Sequence, residues 1–199
     1  MKACSKSIAR RLSDPNFSNR YFVGHGIDIG GKPDPLALYV GMFSRMASVK
    51  TWDWEDGDAQ YLASVAEGAL DFVHSSHCLA HLIDPQEGLK HWFRALKPGG
   101  YLVITVPDED LYEQGIFPST FNRDHKWTFT IFKHASWSDR SINVLDLVRE
   151  LGGQTAGGAQ LFLQFLPEGA DLGLGRHQVR AHGRGADQGR RDELLAGLL

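Results

Sequence analysis

Apolar and polar positions along this chain change period several times. Short apolar runs near residues 26–29, 48–53, 70–75, 101–106 and 160–166 read as strands, and helical or turn-rich segments separate them. The clearest helix opens at Asp84-Pro-Gln-Glu87: Asp84 is a suitable N-cap, Pro85 suits the first helical position, and Glu87 stands where a capping box needs an acid. Leu89, Trp92, Phe93 and Leu96 then recur at i, i+3, i+4 and i+7, which predicts one buried stripe. Pro98-Gly99-Gly100 should stop this helix and turn the chain into the run Tyr101 to Val106. A second helix is expected from Ile142 to Leu151, ended by Gly152-Gly153. Strands alternating with helices predict an α/β fold with parallel strands and crossover helices.

The 199 residues fit one domain spanning 1–199, large enough for a substantial core. From Gly169 to Arg191 glycine and arginine dominate and strand formers are few, so 169–199 reads as an irregular tail. A net charge of −3 gives no electrostatic reason to expect nucleic acid, and no apolar run approaches the roughly 20 residues of a membrane helix. The basic N-terminus lacks the apolar stretch of a signal peptide, and two cysteines make no disulfide framework. The expectation is a cytoplasmic protein whose oligomeric state the sequence does not specify.

Chemistry concentrates where strands end. Gly26-Ile-Asp-Ile-Gly-Gly31 closes the first strand, and glycine there lets a ligand approach the backbone closely. Asp53 ends the second strand, where an acid can accept from both hydroxyls of a ribose, and Trp54 offers an aromatic face to a base. The third run ends in His74-Ser-Ser-His77. This run, with Asp84 to Glu87, Leu96-Lys-Pro-Gly-Gly-Tyr-Leu-Val-Ile-Thr-Val106 and the glycine segment, resembles the class I S-adenosylmethionine-dependent methyltransferases, in particular the type 11-like members.

The resemblance covers about residues 24–166 and implies a Rossmann-like fold: a mostly parallel twisted sheet with helices on both faces. It implies S-adenosylmethionine as cofactor. Asp28 and Gly30 match the family's acid-x-Gly-x-Gly loop, while Lys32 replaces its second glycine and Gly31 is displaced by one. Asp58 and the backbone of Ala59 would read the adenine edge, and His74 and Ser75 would lie beside the methionine end. The acceptor is expected to be a small molecule, such as a sugar or another metabolite, methylated on oxygen or nitrogen.

Residues 107–140 form a long connection rich in aromatic, histidine and charged positions, which suits a substrate wall. His125 is the candidate general base and Asp124 its orienter; a purely structural loop histidine is the alternative. His77 and His81 have i, i+4 spacing with Cys78 between them, but no further cluster of acids or thiols supports a metal, and none is expected. A nicotinamide-dependent oxidoreductase is a rival, disfavoured because Gly26 and Gly30 have the wrong spacing for Gly-x-Gly-x-x-Gly. A non-catalytic binding protein is another, since Ala80 stands where related sequences often carry an acid before His-Leu.

Overall fold

The computed structural model describes residues 3–131, 133, 135–152, 160–166, 177–182 and 196–198. Two short helices, α1 (Ala3–Ser13) and α2 (Pro15–Ser18), precede β1 (Gly24–Ile29), which pairs in parallel with β2 (Met46–Trp52) on one side and β3 (Leu70–Ser76) on the other. After α3 (Pro85–Arg94) come β4 (Leu96–Pro107), a two-stranded parallel pair of β5 (Thr128–Thr130) and β6 (Ser141–Asn143), then α4 (Val144–Gly152). The parallel run continues through β7 (Gln160–Leu166), and β8 (His177–His182) and β9 (Ala196–Leu198) add antiparallel edges. The sheet order is β2-β1-β3-β4-β7-β8-β9. The two final strands fall inside the segment expected to be irregular; backbone pairing of β8 to β7 and of β9 to β8 organises them despite their composition.

Strand alternation sends successive side chains to two cores. Ile27, Val73, Leu102 and Ile104 pack with Leu89, Trp92, Val144 and Leu147 of α3 and α4. Phe72 and Val103, one position out of phase, pack with Ile8 and Phe17 of α1 and α2 and with Leu36. Helices therefore cover both faces of the sheet. Among the described residues no helix is long and apolar enough to cross a membrane.

At the start of α3, Asp84 Oδ1 accepts from Glu87 N at 3.0 Å. The reciprocal half of the expected box is supplied differently: Glu87 turns its carboxylate to Lys90 and His91, and Asp84 N donates to Gln60 Oε1 at 2.9 Å. The helix ends at Arg94, short of the expected Leu96. Leu96 instead opens β4 opposite Leu70, and the register shifts before Phe72 meets Tyr101, so Pro98-Gly99-Gly100 is an irregularity inside a strand pair. Gly99 takes a φ of +77° there, which a side chain would resist. The second helix likewise starts later than expected, because Ile142 pairs in β6 and Asn143 Oδ1 accepts from Leu145 N to open α4 at Val144.

Replacing Asp84 with Ala should lower unfolding stability by about 1 kcal/mol, the usual cost of a lost N-cap. Urea denaturation reads this as a lower midpoint at unchanged slope, and an unchanged midpoint would show that Gln60 alone holds the helix start.

Candidate active site

The sheet reverses its order at β1, with β2 on one side and β3 on the other. A parallel sheet binds ligands beyond its carboxyl ends at such a point, and a cavity of about 1140 Å³ lies there. Its walls come from the residues after β1 (Gly30, Gly31), after β2 (Asp53, Trp54), from the loop 57–60, from the end of β3 (Ser76, His77, Cys78) and from 122–126.

The loop after β1 is set by Asp28, which is 1% exposed. Its Oδ2 accepts from Leu36 N at 2.6 Å, and a β-carbon on Gly31 would stand 2.4 Å from that oxygen. Gly30 has φ +69°, and a β-carbon there would strike Cys78 Cβ at 2.7 Å. Both glycines are therefore demanded by close packing as well as by their place at the cavity. Asp53 Oδ2 accepts from Lys32 N at 3.1 Å and Oδ1 from Trp54 N at 3.0 Å. Each carboxylate oxygen can accept a second hydrogen bond, so Asp53 keeps capacity for a ligand. Trp54 is 93% exposed, an indole presented to solvent at the cavity wall with no role in the core. Asp58 Oδ1 accepts from Gln60 N at 2.8 Å, and Ala59 O accepts from Trp92 Nε1 at 2.7 Å, which fastens this loop to α3.

The histidines separate in a way the sequence does not show. His74 and Ser75 do not line the cavity; both are buried within the sheet. His74 shares the face of Phe72 under α1, where its Nδ1–H donates to Asp28 Oδ1 at 2.6 Å and its Nε2 accepts from Arg11 Nη1 at 2.9 Å. Arg11 can only donate, and this fixes the imidazole tautomer. Burial lowers the His74 pKa, with Asp28 opposing the shift. Ser75 Oγ donates to Ile29 O at 3.2 Å. Past the strand end, Ser76, His77 and Cys78 line the cavity instead. His77 has φ +66°, a left-handed backbone uncommon outside glycine, and its N–H donates to Thr105 O at 2.8 Å. Its ring is 6% exposed, yet neither nitrogen has a partner among the described residues. Burial drives its pKa down to about 3, with His125, His81 and Lys6 pushing the same way.

His125 reaches the cavity and is 4% exposed. Asp124 does not orient it. That side chain is exposed, and its backbone oxygen accepts from His81 Nδ1 at 3.2 Å. The orienting group is Glu113, fully buried, whose Oε1 accepts from His125 Nδ1–H at 2.8 Å. His125 Nε2 has no partner among the described residues. Glu113 lies 12 positions upstream in the same connection, a pairing that no local spacing announces. The rings of His77 and His125 stack with centroids 6.1 Å apart. Among the described residues no group of three or more His, Cys, Asp or Glu side chains is placed to hold a metal ion.

A family model described as a methyltransferase domain matches residues 11–147. Among solved structures, a candidate methyltransferase from Bacillus halodurans is 17% identical, with 73% of this chain and 66% of that one covered and a TM-score of 0.50. The chain thus spans just under two thirds of that relative, and the likeness is one of fold. A protein from Thermotoga maritima described as a candidate histamine N-methyltransferase is 21% identical over 81% of this chain and 76% of its own, at a TM-score of 0.43. No functionally curated protein matches significantly.

His77 generates a pH dependence. Its folded pKa is depressed, so its contribution to stability is complete above its ordinary 6.5 and is lost as pH falls towards about 3. Within that window the unfolded chain takes up a proton that the folded ring refuses, worth at most about 1.4 kcal/mol per pH unit. The variant His77→Asn should flatten the acid limb of the stability curve by up to that slope. Chemical denaturation across the window checks it, and parallel curves for wild type and variant would place the ring outside the core.

Proposed function

The chain belongs to the methyltransferase-domain family, the class I S-adenosylmethionine-dependent enzymes, and from that premise we propose that it methylates an oxygen or nitrogen of a small-molecule acceptor. One observation carries this reading: one cavity joins the Gly30, Asp53 and Asp58 loops to a wall where both ring nitrogens of His77 and Nε2 of His125 have no partner among the described residues. A cofactor with a polar nucleoside at one end and a reactive group at the other suits such a cavity.

The residues fit that cofactor. Asp53 has acceptor capacity for ribose hydroxyls, and the exposed Trp54 ring can stack on adenine. Asp58 and the Ala59 backbone stand at the adenine edge, on a loop held by Trp92. Gly30 and Gly31 let their loop pass closely against Cys78 and Asp28 at the cavity wall, and Asp28 holds that loop through Leu36 N. Ser76 and Cys78 take the place beside the methionine end that the sequence suggests for His74 and Ser75.

Bound S-adenosylmethionine supplies a methyl group already activated by its sulfonium. The protein's task is then mainly alignment of an acceptor in line with that methyl, in a site shielded from water. His125 Nε2 is the group placed to receive a proton from the acceptor.

S-adenosylhomocysteine should raise the melting temperature, and NAD should leave it unchanged. Asp53→Ala should weaken S-adenosylhomocysteine binding by roughly 10- to 100-fold, the loss expected for hydrogen bonds to a charged group. Titration calorimetry on the wild type and the variant measures both, with circular dichroism to show that the variant is folded. Absence of binding to either S-adenosylmethionine or S-adenosylhomocysteine would sink this reading.

A further inference from the structure

Helix α1 closes one side of the cavity. Its Cys4, 2% exposed, lines the space together with Asp28, Gly30, Gly31 and Asp34. In the same first turn Ser5 N donates to Asp34 Oδ2 at 2.7 Å, and Lys6 stands near enough to His77 for its charge to resist protonation of that ring. The turn therefore reaches from the loop after β1 to the residue that follows β3. Asp34 is itself buried, and its Oδ1 accepts from Tyr39 OH at 2.8 Å, which fixes its aim at Ser5. At the far end of α1, Arg11 Nη1 donates to His74 Nε2 at 2.9 Å. Both anchors lead to one loop: Asp34 belongs to it, and His74 holds Asp28, whose Oδ2 accepts from Leu36 N.

The apolar hold on α1 is small. A helix of 11 residues is marginal in water without tertiary contacts. Its buried face consists of Cys4, Ser7, Ile8 and Arg11, at i, i+3, i+4 and i+7, and two of those four are polar. Leu12 adds a partly buried contact, while Ser7 Oγ donates to Cys4 O within the helix itself. A segment held by little apolar area opens at low cost. A ligand in the cavity meets a wall that only the docked helix completes, so it binds the docked state more tightly and raises its population.

We propose that α1 is a latched cover over the cofactor: the empty protein samples a state with α1 undocked, the bound cofactor holds α1 down, and the Asp34–Ser5 hydrogen bond is the latch. Asp34 is thus a positioning residue that acts through α1. The proposal rests on the cofactor reading above. By linkage, whatever loosens α1 in the empty protein weakens the cofactor, and the cofactor in turn protects α1.

Hydrogen exchange read by mass spectrometry on the full chain, with and without saturating S-adenosylhomocysteine, tests this. Peptides covering α1 should exchange about tenfold more slowly with the ligand, while those covering α3, on the opposite face and outside the cavity wall, should change little. Asp34→Ala should speed α1 exchange in the empty protein and weaken S-adenosylhomocysteine, each by about tenfold. A carboxylate that merely touched the ligand would lower affinity and leave α1 exchange in the empty protein unchanged. Ser5→Pro removes the donated hydrogen in a first turn, where proline is tolerated, and Ser5→Ala keeps it. Only the proline variant should reproduce both effects, and adding it to Asp34→Ala should cost no further affinity. Binding of S-adenosylhomocysteine without protection of α1 overturns the cover. Ser5→Pro binding as tightly as Ser5→Ala overturns the latch. If S-adenosylhomocysteine fails to bind the wild type at all, the cofactor reading falls and takes this proposal with it, so the two failures are distinguishable.

Discussion

A buried chain of polar contacts, Arg11 to His74 to Asp28, organises the cavity end of the sheet. The three side chains are at most 2% exposed. Arg11 stays charged, although burial brings its pKa down to about 10. The neutral His74 ring conducts that charge towards Asp28 through its two nitrogens, one accepting and one donating. Arg11 Nη2 also reaches Thr105 Oγ1 on β4, and its guanidinium lies over Phe17 and Phe22. Thus α1, β1, β3 and β4 meet at one point. Breaking a buried charged network by removing one partner typically costs about 3–5 kcal/mol, since the remaining charge is stranded. Asp28 transmits the constraint outward: its second oxygen holds Leu36 N and so shapes the glycine loop that floors the site.

The same network explains which histidine serves structure and which faces the cavity. His74 and His77 lie three positions apart, and the four residues Phe72 to Ser75 are all buried. With both faces of the sheet covered, burial does not alternate along β3, so the sequence carries no period-two signal. Which ring meets the cavity depends on where the strand ends and on the left-handed turn at His77. A one-residue displacement of that end would exchange their roles.

Local signals elsewhere were legible because their physics is local. The Asp84 cap, Pro85 and the Leu89–Trp92 stripe act within one or two helical turns, and the structure keeps them. Leu96 escaped because its pairing with Leu70, 26 positions away, outweighs its helical spacing. The strand at His177–His182 escaped for the same reason, since its stabilising partner is β7 rather than its own composition. At the site, Asp53 and Gly30 could be read from their positions at strand ends. Glu113 could not, because it meets His125 only when the connection after β4 folds back. Asp124, adjacent to His125 in sequence, points elsewhere, which shows how little chain adjacency says about contact in a turn.

That connection has its own anchor, and the anchor separates the two halves of the site. Ala80 O accepts from both Lys126 N at 2.8 Å and Trp127 N at 3.2 Å, and Trp127 Nε1 donates to Leu82 O at 3.1 Å. Backbone oxygens of the turn after β3 therefore dock the segment that bears His125, and two of these three bonds involve no side chain. The loops after β1 and β2 and the 57–60 loop depend on Asp28, Asp53 and Trp92; the wall that bears His125 depends on Ala80, Leu82 and Glu113. Substitutions around 107–127 can therefore reshape this wall while the glycine loop, held by Asp28, stays in place. Ala80 is itself fully buried. Since its contribution runs through the carbonyl, an acid is not needed at this position to dock the segment, and its absence removes no part of the wall formed by His77 and His125.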